Sequence, residues 1–250
     1  MADVSTSWIF VGSYSEPDKS GVHVVALDST GRAAVHGGYS GVHNPSFLAA
    51  HPNGRHLYAV SEVGGRRGAV YVFDIEWTPP VPNLVIRGHR STGGSSPCNL
   101  AIDRDGRWLV VTNYGTGEVV VFPILGDGGL GERVSSVQHS GSGPNSQRQE
   151  APHPHSSAFD PSGGFLVVAD LGTDELTVYG LDRESGGLAK HAVVRMRAGA
   201  GPRLVRFSPR GDLVGVVNEL DNTLSLATWD SSRGAIDIVQ TVPTLAVGFT

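Results

Sequence analysis

The chain has 250 residues, a formal net charge of −5, and 19 basic residues that are scattered rather than clustered. It therefore lacks the dense basic face of a nucleic-acid-binding protein, and no apolar run approaches the ~20 residues of a membrane-spanning helix. Hydrophobic residues make up 39% of the chain, which excludes a disordered protein, and 34 glycines with 15 prolines are typical of many short strands joined by turns.

The first predicted elements are three strands with the sequences WIFVGSYS, GVHVVALD and AAVHGGYS. The N-terminus has no basic region followed by an apolar run, so a signal peptide is not predicted. Cys98 is the single cysteine and has no intrachain disulfide partner, which permits a reducing compartment. A cytoplasmic protein is therefore expected, and the sequence leaves its oligomeric state open.

Four segments of similar pattern follow, and they begin at Pro45, Pro97, Pro154 and Pro202. In each, a short strand leads through a glycine turn to a nearly continuous apolar strand: HLYAV, WLVVT, FLVVA or LVGVV. That continuity predicts burial on both faces of the strand. An alternating strand comes next (AVYVFDI, EVVVFPI, ELTVYGL or TLSLATW), and a weaker fourth strand is predicted in LVIRGH and AVVRMR. No window has convincing helical periodicity.

Repeated four-stranded sheets that bury their faces against one another indicate an all-β fold, a β-propeller of antiparallel blades in one domain spanning residues 1–250. A β-sandwich also uses short strands and glycine-rich turns, but it gives no reason for near-identical units. The units and the N-terminal strands make about five blades. The last ten residues, TVPTLAVGFT, predict the end of a fourth strand and a linker, with no strand to close the ring. We therefore expect a C-terminally truncated propeller, or one that closes with another chain.

Polar residues recur at two equivalent positions of the repeat. The residue after the repeated proline is Ser46, Cys98, His155 or Arg203, and the residue that ends the apolar strand is Glu62, Tyr114, Leu171 or Glu219. Equivalent positions on successive blades point to the same end of a propeller. The repeat therefore predicts a site at one mouth of the channel, with these members and neighbours: His155, Arg203, Glu219, Ser46, Glu62, Asn99 and Tyr114.

Several stretches carry a resemblance to a known family: VGSYS, NPSFLAAHPNGRHLYAVSE, PCNLAIDRDGRWLVVTNYGTGEVVVFPI, PHPHSSAFDPSGGFLVVADLG, GAGPRLVRFSP and VVNEL. They resemble the seven-bladed β-propeller lactonases, which include bacterial 6-phosphogluconolactonases of the propeller type and fungal carboxy-muconate lactonizing enzymes. The ordered combination of PHxHS, DLG, GxGPR and NEL is more specific than any one motif. Family members are longer, so the resemblance implies seven blades, two of them after residue 250.

The resemblance also implies a polar cleft at one mouth of the channel. Its site residues would be a histidine of PHxHS, either His155 or His153, together with Arg203 and Glu219. A further arginine would come from a later blade.

Two positions depart from the family's pattern. Where the family often has histidine, after PC and after GPR, this chain has Asn99 and Leu204. Asn99 retains hydrogen-bonding capacity, whereas Leu204 can neither bind a metal nor transfer a proton.

Lactone hydrolysis needs a base for water, a cation near the developing oxyanion and a group that holds substrate charge. We expect Glu219 to activate water, His155 to act as base or acid, and Arg203 to bind a phosphate, a carboxylate or the oxyanion. This chemistry needs no cofactor and no metal. The predicted substrate-binding residues are His153, Asn99, Glu62 and Tyr114.

The predicted function is hydrolysis of a small-molecule sugar lactone, with 6-phosphogluconolactone as the leading candidate and neither nucleic acid nor membrane as a partner. A muconate-type or other lactone is one alternative. A non-catalytic binding module is another, although the repeats lack the Gly-His and Trp-Asp pairs of WD-repeat scaffolds.

Structural roles compete with these functional ones. His155 would then be a loop residue, Arg203 and Glu219 an ion pair, and Cys98 a half-buried filler. Two histidines flanking a proline in an extended segment point to opposite sides, so HPH does not predict a metal site. GDGGLG at 126–131 opens no helix and predicts a β-turn. The remaining histidines are expected on the surface or in strands: His23, His36, His51, His56, His89, His139 and His191.

Overall fold

The computed structural model describes residues 6–78 and 80–246, and these form five antiparallel sheets without a helix. The first sheet has three strands: β1 Ser7–Gly12, β2 Val22–Leu27 and β3 Ala33–Tyr39. They are the three strands that the N-terminal sequence predicts, in the predicted order. Because no helix is present among the described residues, none of them could cross a membrane as a helix.

Each repeat unit forms one four-stranded sheet. The second sheet contains β4 Leu48–Ala50, β5 His56–Ser61, β6 Ala69–Glu76 and β7 Asn83–Ser91. The third contains β8 Pro97–Ile102, β9 Trp108–Asn113, β10 Glu118–Pro123 and β11 Ser135–Gln138. The fourth contains β12 Pro154–Phe159, β13 Phe165–Asp170, β14 Glu175–Leu181 and β15 Leu188–Arg195. The fifth contains β16 Pro202–Phe207, β17 Leu213–Asn218, β18 Thr223–Asp230 and β19 Ala235–Pro243.

Neighbouring strands in every sheet follow chain order, so each unit is a meander. The strand that the repeat pattern does not predict is β11, whose sequence SSVQ is short and polar. The segment TVPTLAVGFT does begin within a fourth strand, β19, and its residues 247–250 lie outside the described residues. GDGGLG forms the predicted turn, in which Gly128 has a φ of 83° and its N–H donates to the Leu125 carbonyl.

The turn between the first two strands of each unit needs a backbone conformation that glycine adopts without strain. The four equivalent turn glycines have φ between 68° and 76°: Gly54, Gly106, Gly163 and Gly211. Before three of these turns, an aspartate or serine side chain accepts a backbone N–H at the start of the next strand, as Asp103 Oδ1 does from Trp108 N at 2.7 Å. The same local chemistry therefore starts the buried strand of the third, fourth and fifth sheets.

Apolar side chains form clusters between successive sheets rather than inside any one of them. Tyr58 and Val60 of the second sheet, for example, pack against Leu109 and Val120 of the third. Each such side chain contributes roughly 1.5–3 kcal/mol when fully buried. Face-to-face stacking of sheets with all-buried strands β5 and β9 is the arrangement of propeller blades. The predicted propeller of four-stranded antiparallel blades is confirmed.

The buried character of the apolar strand weakens in the fifth sheet. Strand β17 alternates between buried and partly exposed residues, and Val217 is 38% exposed. Its apolar side chains form a cluster with those of the fourth sheet. The first strands of the four complete units, β4, β8, β12 and β16, lie side by side at the inner edge of the stack. Residues at the start of these strands therefore face a common space.

Candidate active site

In three of the five blades, a β-bulge aims a side chain into that common space. In the third, fourth and fifth sheets, the pairing of the first two strands shifts register between the repeated proline and the second residue after it. The extra residues are Cys98, His155 and Arg203. A bulge commonly re-aims a side chain beside an active site. All three side chains line one cavity, as their equivalence in the repeat predicts.

The cavity has a volume of about 370 Å³. Its walls come from all five sheets and from the loop that precedes β12. The lining residues are Tyr14, Ser46, Phe47, Glu62, Cys98, Asn99, Tyr114, Arg148, His155, Ser156, Arg203, Leu204 and Glu219. The predicted site residues are thus brought together, with the exception of His153.

Tyr14 was not predicted as a site residue, although the repeat contains the signal for it. When FVGSY is aligned with YAVSE and VVTNY of the later blades, Tyr14 stands at the position of Glu62 and Tyr114. Extending the alignment into the three-stranded sheet would have identified it. Leu171 occupies the same position in the fourth sheet, but it is fully buried and outside the cavity.

Two arginines hold Glu219, one on each carboxylate oxygen. Arg203 Nε donates to Oε2 at 2.8 Å, and Arg148 Nη2 donates to Oε1 at 2.5 Å. Burial alone would raise the pKa of Glu219, but the hydrogen bond from Arg148 and the nearby positive charges hold that pKa below its ordinary value. Glu219 is therefore ionised at neutral pH, and the three groups together carry a net charge of about +1.

Arg148 was also missed by sequence reasoning, because it lies in the polar stretch GSGPNSQRQEA, which lacks any strand or helix pattern. The structure orders this loop around Gln149, which is fully buried. Gln149 Nε2 donates to the Leu171 carbonyl and to Asp174 Oδ1, both at 2.8 Å. The signal in the sequence is spacing: the unit that ends in this loop is 57 residues long, against 52 and 48 for its neighbours.

Asp174 connects the loop of Arg148 to the segment that carries Arg203. Besides Gln149, its carboxylate accepts the backbone N–H groups of Gly199 at 2.6 Å and Gly201 at 2.8 Å. Gly201 has a φ of 61°, which side-chain-bearing residues rarely adopt. The motif GAGPR is thus a backbone turn fixed by a buried carboxylate, and it places Arg203 opposite Arg148.

His155 is half-buried, with its Nδ1 3.8 Å from the Cys98 Sγ and its ring edge-on to Tyr114. Burial, followed by the charge of Arg203, lowers the pKa of His155 from 6.5 to about 4. The imidazole is therefore neutral at physiological pH and has a lone pair available to accept a proton. His155 thus stands at the bulge of β12 and lines the cavity rather than lying in a loop.

His153 does not line the cavity. Its ring is buried and stacks on Tyr114 with centroids 4.3 Å apart, while Nδ1 lies 2.9 Å from the Tyr114 carbonyl oxygen. Its backbone N–H donates to Asp170 Oδ1 at 2.8 Å. The position places His153 behind Tyr114, without direct access to a molecule in the cavity. The two histidines of PHPHSS therefore point to different environments, as an extended segment requires.

Asn99 reaches the cavity, yet its carboxamide also links two blades. The side chain is buried, and Oδ1 accepts the backbone N–H of Ser157 at 2.9 Å. One blade further on, Ser156 Oγ accepts the backbone N–H of Val205 at 2.9 Å. Leu204 is the next residue in this series, and its side chain has no group for such a bond. Asn99 and Ser156 hold the inner strands in register with one another.

Cys98 behaves as the predicted filler. Burial raises the pKa of its thiol to about 12, so the thiolate is absent at neutral pH. His56 lies in a strand as expected, at the start of β5, whereas the expectation for His139 is wrong, because its buried side chain follows the end of β11. His139 Nδ1 lies 2.6 Å from Asp170 Oδ2, and His56 Nδ1 lies 2.9 Å from Asp74 Oδ1. No grouping of three or more histidine, cysteine or acidic side chains suited to a metal ion occurs within residues 6–78 and 80–246.

Together these features define a β-propeller whose inner strands surround a polar cavity with a neutral histidine and two carboxylate-bound arginines. Residues 8–250 match the family described as "Lactonase, 7-bladed beta-propeller", and the chain belongs to this family.

Named relatives resemble the chain over nearly its whole length. It is 31% identical over 242 residues to the 6-phosphogluconolactonase of Bacillus subtilis, a match that covers 96% of this chain and 68% of the relative. It is also 31% identical over 242 residues to the 6-phosphogluconolactonase of Pectobacterium carotovorum, covering 94% and 66%. The solved structure of the periplasmic gluconolactonase of Pseudomonas aeruginosa has a TM-score of 0.88 and 28% identity, covering 98% of this chain and 70% of that one. The chain thus spans about two thirds of the length of these relatives.

Proposed function

We propose that this protein hydrolyses a sugar lactone, with 6-phosphogluconolactone as the leading substrate. Membership of the lactonase family and the names of its relatives support the reaction class. The observation that carries the proposed site is the pairing of a neutral histidine, His155, with two cations on the same cavity wall. A base beside fixed positive charge is what ester hydrolysis by water requires.

In the proposed mechanism, the neutral imidazole of His155 accepts a proton from a water molecule as the oxygen attacks the lactone carbonyl carbon. The carbonyl oxygen becomes an oxyanion, and an arginine N–H stabilises it. Collapse of this intermediate breaks the ring C–O bond, and the imidazolium returns the proton to the departing alkoxide. A low pKa makes the imidazolium a strong proton donor for that step. The net change is the addition of one water molecule.

The sequence predicted Glu219 as the group that activates water. Both of its oxygens already accept hydrogen bonds from arginines, so we assign it the task of holding Arg148 and Arg203 at a fixed separation. The ion pair of Arg203 and Glu219, which the sequence analysis gave as a purely structural alternative, is thus part of the proposed function. Arg148 and Arg203 each retain N–H groups beyond those bonds, and these are suited to a phosphate or an oxyanion.

The test is hydrolysis of freshly prepared 6-phosphogluconolactone, followed by acid release and corrected for the spontaneous reaction. We expect His155→Gln and Arg203→Ala to lower kcat/KM by about 100-fold or more, with melting temperatures that show an intact fold. Arg104→Ala, at an exposed arginine outside the cavity lining, is the matched control and should retain activity. Unchanged turnover in both site variants would contradict the proposed site.

The proposed location is the cytoplasm, supported by a single thiol that needs no oxidising compartment. The Pseudomonas aeruginosa relative is periplasmic, so the periplasm is the alternative. Fractionation of cells that express the gene at its native level distinguishes the two.

A further inference from the structure

The chemistry of the cavity wall changes in the order of the blades. The first two sheets contribute Tyr14, Ser46 and Glu62, and the third contributes Tyr114 and the neutral thiol. The fourth and fifth sheets and their connecting loop contribute the cationic group described above. One end of the cavity is therefore acidic and rich in hydroxyl groups, and the opposite end carries net positive charge.

Glu62 is held in one orientation by two hydroxyl donors. Its Oε2 accepts a hydrogen bond from Tyr14 Oη at 2.9 Å and another from Ser46 Oγ. Burial and the hydrogen bond to Glu62 raise the pKa of Tyr14 to about 12, so its hydroxyl remains a donor at physiological pH. The orientation of the carboxylate is thus fixed by neutral groups alone.

The second oxygen, Glu62 Oε1, accepts no hydrogen bond from the part of the chain that the structure describes. Glu62 also forms no ion pair with any residue within 6–78 and 80–246. Because Glu62 lines the cavity, this second oxygen is available to accept hydrogen bonds from a ligand.

We propose that Tyr14, Ser46 and Glu62 form a hydroxyl-recognition subsite, which selects polyhydroxylated lactones with an anionic group at the far end. A carboxylate oxygen accepts hydrogen bonds from sugar hydroxyls and repels phosphate, which directs the anionic group to the arginines. The substrate then lies in one orientation across the cavity, with its carbonyl near His155. This inference rests on the proposed lactonase function and specifies the substrate class of the same site.

The test compares three lactones: 6-phosphogluconolactone, glucono-δ-lactone, which keeps the hydroxyls but lacks the phosphate, and δ-valerolactone, which lacks both. We expect Glu62→Gln to raise KM about 10- to 100-fold for the two hydroxylated lactones, since hydrogen bonds to a charged acceptor are lost. Turnover of δ-valerolactone should fall much less than that of the two hydroxylated lactones, because it has no hydroxyl group for Glu62 to bind. Tyr14→Phe and Ser46→Ala leave the carboxylate in place but free to rotate, so they should produce smaller increases on the same two substrates.

Glu132→Gln, at an exposed glutamate outside the cavity, is the matched control for the loss of one negative charge. If Glu62→Gln fails to fold, Tyr14→Phe and Ser46→Ala provide the same comparison. Equal losses on all three lactones, or no loss on any, would overturn the subsite while leaving the lactonase function standing. Absence of wild-type hydrolysis of every lactone would instead defeat the proposed function on which the subsite rests.

Discussion

His155 should make the stability of the protein depend on pH in a defined interval. Its pKa is about 4 in the folded chain and 6.5 in the unfolded one. Between these values the unfolded chain binds a proton that the folded chain does not, so stability is fully present above pH 6.5 and falls as the pH drops towards 4. The lost free energy of unfolding is about 2 kcal/mol between pH 7.5 and 5, and about 3 kcal/mol in total.

The perturbation is His155→Gln, which removes the titrating group and keeps a polar side chain of similar length. The assay is urea denaturation of the wild type and the variant at intervals from pH 7.5 to pH 5, where carboxyl groups contribute least. We expect the difference in unfolding free energy between the two proteins to change by about 2 kcal/mol across that interval, with the variant gaining relative stability at the lower pH.

His36→Gln is the matched control, because this histidine is exposed on β3 and lies outside the cavity. The control variant should show the same pH dependence as the wild type. A pH-independent difference between the wild type and His155→Gln would refute the reasoning, since it would mean that the folded state does not oppose protonation of this imidazole.

Three further predictions concern the surroundings of the site. Gln149→Ala should lower the free energy of unfolding, measured by urea denaturation, by about 1–3 kcal/mol, because buried hydrogen bonds are lost. It should also lower kcat/KM, because Arg148 is displaced. Gln147→Ala, at an exposed neighbour, is the control, and equal effects of the two variants would contradict the prediction. Cys98 should react with iodoacetamide at pH 8 roughly 1000-fold more slowly in the folded than in the unfolded chain, because burial raises its pKa to about 12 and so suppresses the thiolate. Comparable rates in the two states would contradict the burial of this thiol. Ser156→Ala should destabilise the chain by about 1–3 kcal/mol, because the buried N–H of Val205 loses its acceptor, and an unchanged denaturation midpoint would show that this link between blades contributes nothing.

The repeat made most of the fold predictable from the sequence. Each unit contains the same order of turn glycine, apolar strand and alternating strand, and stacking of like sheets is the arrangement that buries both faces of the apolar strands. The sequence did not predict the strand β11, because its four residues, SSVQ, show no apolar alternation and include no large apolar side chain. Its place in the sheet comes from pairing with β10, a tertiary effect that the local sequence does not contain.

The candidate site was predictable where the residues follow the repeat and unpredictable where they do not. His155 and Arg203 occupy equivalent bulges, so their register alone placed them together. Arg148 comes from a loop whose course depends on the buried contacts of Gln149 with another blade. Such contacts join residues more than twenty positions apart, and the periodicity of the sequence does not predict them.

The sequence also did not predict the burial of His139 or the direction of the His153 side chain, for a related reason. Histidine is common on surfaces and in cores alike, and its environment is decided by partners distant in sequence. For His139 these are Asp170 and Tyr179, which lie in the next blade. For His153 the partner is the face of Tyr114.

The central claim is that a neutral His155 removes a proton from water in the hydrolysis of a lactone. The most direct test is the pH dependence of kcat/KM for glucono-δ-lactone, a substrate without a phosphate that would itself titrate. With a free-enzyme pKa of about 4 for His155, we predict that kcat/KM stays level from neutral pH down to about 5 and falls tenfold per pH unit below about 4. A decline centred near pH 6.5, or a wild-type profile retained at similar magnitude by His155→Gln, would contradict the claim.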